Sequence, residues 1–134
     1  MGSTSHAADV DYSLRGTWEV QIDPGPAGGQ DAPPFESTLP FGHSGVVTEA
    51  TSRAPSSAGL GAWKRTGSNT FVFEVQKYRF DATGVYAGKT VITENVSLSG
   101  DGSYTGTAVT RIVNPAGTTV ATFTSHTTGS KFRP

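Results

Sequence analysis

The sequence predicts an all-β domain, an eight-stranded up-and-down antiparallel β-barrel, and three observations carry that prediction. Short runs of alternating apolar and polar residues recur along most of the chain. Nineteen Thr favour strands, while 17 Gly and 8 Pro punctuate the runs. Three connections share one form: DATG from Asp81, SGDG from Ser99 and NPAG from Asn114 each place a small polar residue three positions before a Gly. A β-sandwich is the alternative packing of the same strands, but closure removes exposed edges and so favours the barrel.

Taken in order, residues 1–10 read as a flexible tail or cloning scar, and 11–134 as one β-barrel domain. A chain of 134 residues is large enough to bury roughly two-thirds of its unfolded surface. The first strand spans 16–23, with Trp18, Val20 and Ile22 alternating toward the interior. The Pro/Gly-rich stretch 24–34 is either a lid over an open barrel end or a plain surface loop. Strands at 35–42 and 46–52 flank a turn containing His43, and 53–60 forms a second flexible crossing. Strands at 61–66, 70–80, 85–98, 103–113 and 118–127 complete the set, mostly joined by short turns.

The first strand opens on Gly16-Thr17-Trp18 after a short lead-in, Asp11 to Arg15. This resembles the G-x-W signature of lipocalins and related calycin barrels. The resemblance implies that Trp18 closes one barrel end and that a basic residue after the last strand packs across it; Arg133 is the first candidate and Lys131 the second. The motif recurs at Gly61-Ala62-Trp63, whereas the T-D-Y motif, disulfides and secretion signal of lipocalins are missing. The chain also resembles uncharacterised bacterial lipocalin-like barrels that add a T-F…F-D-x-x-G hairpin, here Thr70-Phe71 and Phe80 to Gly84. That likeness implies a ligand-sized barrel and specifies no activity.

Composition narrows the function classes. A net charge of −1 and a pI near 6.3, with no basic stretch alternating with aromatics, argue against nucleic acid and anionic membranes as partners. The absence of Cys removes disulfides and thiolate metal sites. His6, His43 and His126 are too dispersed for a ligand motif, so neither a metal nor another cofactor is expected. No run approaches the ~18 apolar residues of a membrane-spanning helix, and no signal peptide opens the chain, which makes the cytoplasm the expected location.

The three matched turns set an expected register. A type I turn followed by a left-handed Gly pairs residue i with i+4, so Asp81 faces Val85, Ser99 faces Ser103 and Asn114 faces Thr118. Parity is then kept across four strands, and even-numbered residues share one face. Lys77, Arg79, Lys89 and Arg111 are all odd. Long cations are rarely buried without partners, so the even face is expected inside.

That expectation places Glu74 and Glu94 inward as diagonal neighbours, roughly 7–8 Å apart, beside Gln76, Tyr78, Tyr104 and His126. Two acids in an apolar space raise at least one carboxyl pKa. A one-residue slip reverses every side chain and returns them to solvent. The same assignment puts Phe71, Phe73, Val75, Val91, Val109 and Phe123 outside. They then form either a homo-oligomer surface or a sign that the faces are reversed.

Two functional readings follow. In the first, the barrel is a cofactor-free enzyme acting on a small apolar metabolite by isomerisation, cyclisation or elimination. Glu74 and Glu94 are then general base and acid, and Tyr78, Tyr104 or Gln76 stabilises an oxyanion. In the second, it is a non-catalytic carrier of a small hydrophobic ligand held among Trp18, Phe41, Trp63, Gln76, Tyr104 and His126. A filled barrel without any ligand is the structural alternative.

Overall fold

The computed structural model describes residues 13–25, 33–53 and 57–134. It is a closed antiparallel barrel of eight strands in chain order: β1 (Gly16–Asp23), β2 (Phe35–Phe41), β3 (Val46–Thr51), β4 (Gly59–Arg65), β5 (Thr70–Phe80), β6 (Tyr86–Leu98), β7 (Ser103–Val113) and β8 (Thr119–Lys131). The 1–10 tail and most of the 24–34 connection lie outside the described residues. Among the described residues no helix is long and apolar enough to cross a membrane.

β8 runs four residues beyond its expected end because closure requires it: β1 pairs with it from Trp18↔Lys131 to Asp23↔His126. Its last stretch, Thr128-Gly129-Ser130, has no apolar residue to mark it as strand. Gly129 instead lies under the Tyr104 ring, where a Cβ would come within 2.4 Å of Cε2.

The expected turn pairings are present. Asp81 N–H donates to Val85 O at 2.9 Å, Ser99 N–H to Ser103 O at 3.0 Å, and Asn114 N–H to Thr118 O at 2.9 Å. Asp81 Oδ1 accepts from the Thr83 hydroxyl and from the Thr83 and Val85 amides. The Thr83 hydroxyl first, then those amides, hold its carboxyl below the usual range. Asn114 Oδ1 does the same for Ala116 and Thr118. Gly84 and Gly117 sit at φ +84° and +88°, the left-handed positions these turns reserve for Gly.

The even-inward assignment, however, holds on β6 and β7 and fails on β5 and β8. Two bulges cause this. Phe80 pairs with Tyr86 but Arg79 with Gly88, leaving Ala87 as an extra residue; Val113 pairs with Thr119 but Ile112 with Ala121, leaving Val120 extra. Each insertion reverses parity for the rest of its ladder. The main β5–β6 register is therefore Phe71↔Val96, Phe73↔Glu94 and Val75↔Ile92. Gly88 takes φ +110° there, and a Cβ on it would lie 2.0 Å from Val113 O.

Phe71, Phe73 and Val75 are consequently core residues, 0–2% exposed, and Phe123 faces the interior as well. The outward patch expected to join copies of the chain is thus not built from those residues. Val91 does lie on the outer face, between Gln76 and Arg111, but only 5% of it is exposed.

Packing closes one end of the barrel. Trp18 and Leu14 are fully buried, and the Trp18 indole N–H donates to Leu14 O at 2.8 Å. The Trp18 and Tyr104 rings stand 5.1 Å apart. Phe41 packs edge-on against both Phe73 (5.1 Å) and Trp63 (6.1 Å). The basic residue over Trp18 is Lys131, whose Nζ lies 5.4 Å from the ring centre. Arg133, the first candidate, instead pairs with Asp101 on the surface at 3.1 Å.

Candidate functional site

The other end of the barrel holds a cavity of about 400 Å³. Its apolar wall comes from inward positions on successive strands, among them Leu39, Phe73, Val75, Ile92, Ala108 and Ile112. Five charged residues also line it: Glu49, Arg53, Lys77, Arg79 and Glu94. Arg53 and Arg79 are the exposed pair, marking the mouth at the end opposite Trp18.

Glu94 lies on β6 between its ladder partners Phe73 and Ala108 and is 4% exposed. Its Oε2 accepts the Thr127 hydroxyl of β8 at 2.8 Å. That bond spans the whole of β7. Gly106 of β7, paired with Thr127, permits it, because a Cβ there would lie 2.5 Å from Thr127 Oγ1 and 2.9 Å from Glu94 Oε2.

Desolvation dominates the Glu94 carboxyl and pushes its pKa up to about 7, with Thr127 and Tyr104 pulling down and the Glu49 charge pushing up. Burial, aided by Glu94, raises the Tyr104 phenol well above its ordinary value. The Tyr104 hydroxyl has no well-aligned acceptor, although it lies near enough to Glu94 for each group to shift the other.

Glu49 occupies the second polar position. It is 6% exposed on β3; Oε2 accepts the Ser37 hydroxyl at 2.8 Å, and Oε1 lies 2.5 Å from Lys77 Nζ. That contact leaves Oε1 ion-paired even though no aligned hydrogen bond reaches it. The pair forms across β4 at another glycine. Gly59 pairs with Glu49, while the next residue, Leu60, pairs with Gln76, immediately before Lys77. A Cβ on Gly59 would stand 3.3 Å from Glu49 Cβ.

Lys77 thus reverses the rule that assigned the faces. A long cation turns inward here, with 12% of its side chain exposed, because a carboxylate two strands away meets it.

The candidate residues named from sequence separate into three groups. Glu94 lines the cavity, and Tyr104 contacts the core beside it. Trp18, Phe41 and Trp63 belong to the closed end and do not line the cavity; Trp63 is fixed by an indole N–H bond to Gly42 O at 3.0 Å. Glu74, Gln76, Tyr78 and His126 face outward, as the bulged registers of β5 and β8 dictate. Glu74 accepts the Thr93 hydroxyl at 2.8 Å, and Tyr78 packs against Tyr86, with ring centres 6.2 Å apart, beneath Lys89.

Sequence reasoning missed Glu49, Lys77 and Thr127. The phenylalanines at 71 and 73 signal an inward odd face on β5, which would have carried Lys77 inside with them. Nothing local marks Thr127, one of nineteen threonines.

Among the described residues, no group of three or more His, Asp or Glu is placed to hold a metal ion. No protein-family profile matches the sequence, and no curated protein matches it.

Proposed function

We propose that the barrel encloses a small, mostly apolar molecule and transfers a proton on it through Glu94, as a cofactor-independent isomerase, cyclase or lyase. The observation that carries this reading is a carboxyl placed on an apolar cavity wall, between Phe73 and Ala108, and held by Thr127. With a pKa near 7, both protonation states are populated at neutral pH, the condition that suits a general acid or base. Glu49 takes the place first given to Glu74 as the second interior acid, but it is bound to Lys77 and Ser37.

That fixation favours a second reading, a non-catalytic binder. With Glu49 tied down, one carboxyl remains for proton transfer, and protonated Glu94 would orient a ligand by donating a hydrogen bond.

Two probes test these readings. A fluorescent naphthalene dye should bind the wild type and fail to bind folded Ala108→Trp, which fills the cavity; binding unaffected by that change would place the dye elsewhere and reject the enclosed site. Nitrobenzisoxazole, whose ring opens when a base removes its carbon-bound proton, should react at a rate that rises through about pH 7 and falls to background in Glu94→Gln. Dye binding without that reaction supports the binder.

A further inference from the structure

We infer that the molecule taken by the barrel carries a carboxylate, bound at the mouth by Arg79 with its apolar body directed toward Glu94. This rests on the reading that the cavity encloses a small molecule.

The lining combines three cations, Arg53, Lys77 and Arg79, with two carboxyls. Glu49 is matched by Lys77 at 2.5 Å. Glu94 sits deeper, with Thr127 as its hydrogen-bond donor. Neither lining carboxyl is thus paired with Arg79, at the mouth.

Arg79 follows Lys77 by two residues on β5 and so shares its face. Its ladder partner is Gly88, which presents no side chain beside it. Among the described residues Arg79 takes part in neither ion pair, Lys77–Glu49 nor Arg133–Asp101. Arg53, just past the end of β3, has its guanidinium 5.1 Å from the Phe35 ring centre.

A guanidinium fork matches a carboxylate in shape and charge, and partial removal from water strengthens the pairing. Below it the wall is aliphatic and aromatic: Leu39, Phe73, Val75, Ile92 and Ala108. An apolar body with one anionic end satisfies both zones. A cationic ligand would meet Arg79 and Arg53 on entry, and a neutral one would leave the guanidinium to water.

Calorimetric titration with decanoate and decanol, in wild type and Arg79→Gln, tests the inference. Decanoate should bind about tenfold or more tightly than decanol, the scale of one charge-assisted pair. Arg79→Gln should remove most of that difference, with the larger loss falling on decanoate. Added salt should weaken decanoate alone.

Equal affinities in the wild type, or an Arg79→Gln variant that still prefers decanoate, would overturn the carboxylate assignment while leaving the enclosed site intact. If the naphthalene dye binds and neither compound displaces it, the assignment also fails. If dye, decanoate and decanol all fail to bind, the enclosed-site reading falls with it.

Discussion

Thr127 donates a 2.8 Å hydrogen bond to Glu94 across a strand that separates them, over the bare backbone of Gly106. Glu49 and Lys77 meet in the same manner across β4, at Gly59. Both interior carboxyls are thus held by partners two strands away, past a glycine on the intervening strand; an added Cβ would block the path at Gly106 and only crowd it at Gly59.

Glu94 makes stability fall as pH rises. Its carboxyl moves from an ordinary value of 4.5 up to about 7 on folding, chiefly through desolvation, so the folded state holds the proton more tightly than the unfolded chain. Its relative stabilisation is complete below about pH 4.5 and is lost as pH climbs to about 7. The full change is roughly 3 kcal/mol. Thermal unfolding of Glu94→Gln should therefore show a flatter pH profile across this window and a higher Tm than wild type at pH 8. A variant profile parallel to that of the wild type would reject the raised pKa.

Gly106→Ala should destabilise by about 2–4 kcal/mol, combining overpacking with loss of the Thr127 bond. Its Cβ would also fall 3.0 Å from the fixed Asn95 carbonyl. Gly59→Ala, whose nearest neighbour is a side-chain carbon at 3.3 Å, should stay within about 1 kcal/mol of wild type. Urea unfolding of the two variants compares them directly, and similar losses would deny Gly106 its special position.

Lys77→Met leaves Glu49 buried without its cation and should destabilise by about 3–5 kcal/mol. Combining it with Glu49→Gln should restore most of that loss, because the orphaned charge is removed too. A double-mutant cycle gives the coupling. Additive losses would show that the ion pair contributes no interaction of its own.

At the closed end, Lys131→Ala should lower stability by about 0.5–2 kcal/mol through loss of its contact with Trp18. Arg133→Ala, which breaks only an exposed pair with Asp101, should change it by less than about 0.5 kcal/mol. Trimming residues 132–134 and then 131–134 gives a second comparison, in which the larger drop should accompany removal of Lys131.

Much of the architecture was legible from local chemistry. Asp81, Asn114 and their glycines specify tight turns through bonds formed within five residues, so strand number, order and most boundaries could be read directly. Glu94 was legible as an interior acid because the β6–β7 ladder keeps its parity from Leu98↔Tyr104 through Lys89↔Val113. Glu74, Gln76, Tyr78 and His126 were misplaced because Ala87 and Val120 each add one residue to a ladder. The extra residue is specified by how neighbouring strands twist and close, and it leaves the turn sequence unchanged.

The all-β class, the turns and the alternation within each strand can be read from the chain alone, since they depend on residues close together in it. Which alternating face is inside is fixed by the assembled barrel, because that depends on the register between strands. The same register turns Lys77 inward. Lys77 and Glu49 lie 28 positions apart in the chain, and their charges offset each other only after the barrel brings β3 and β5 around Gly59.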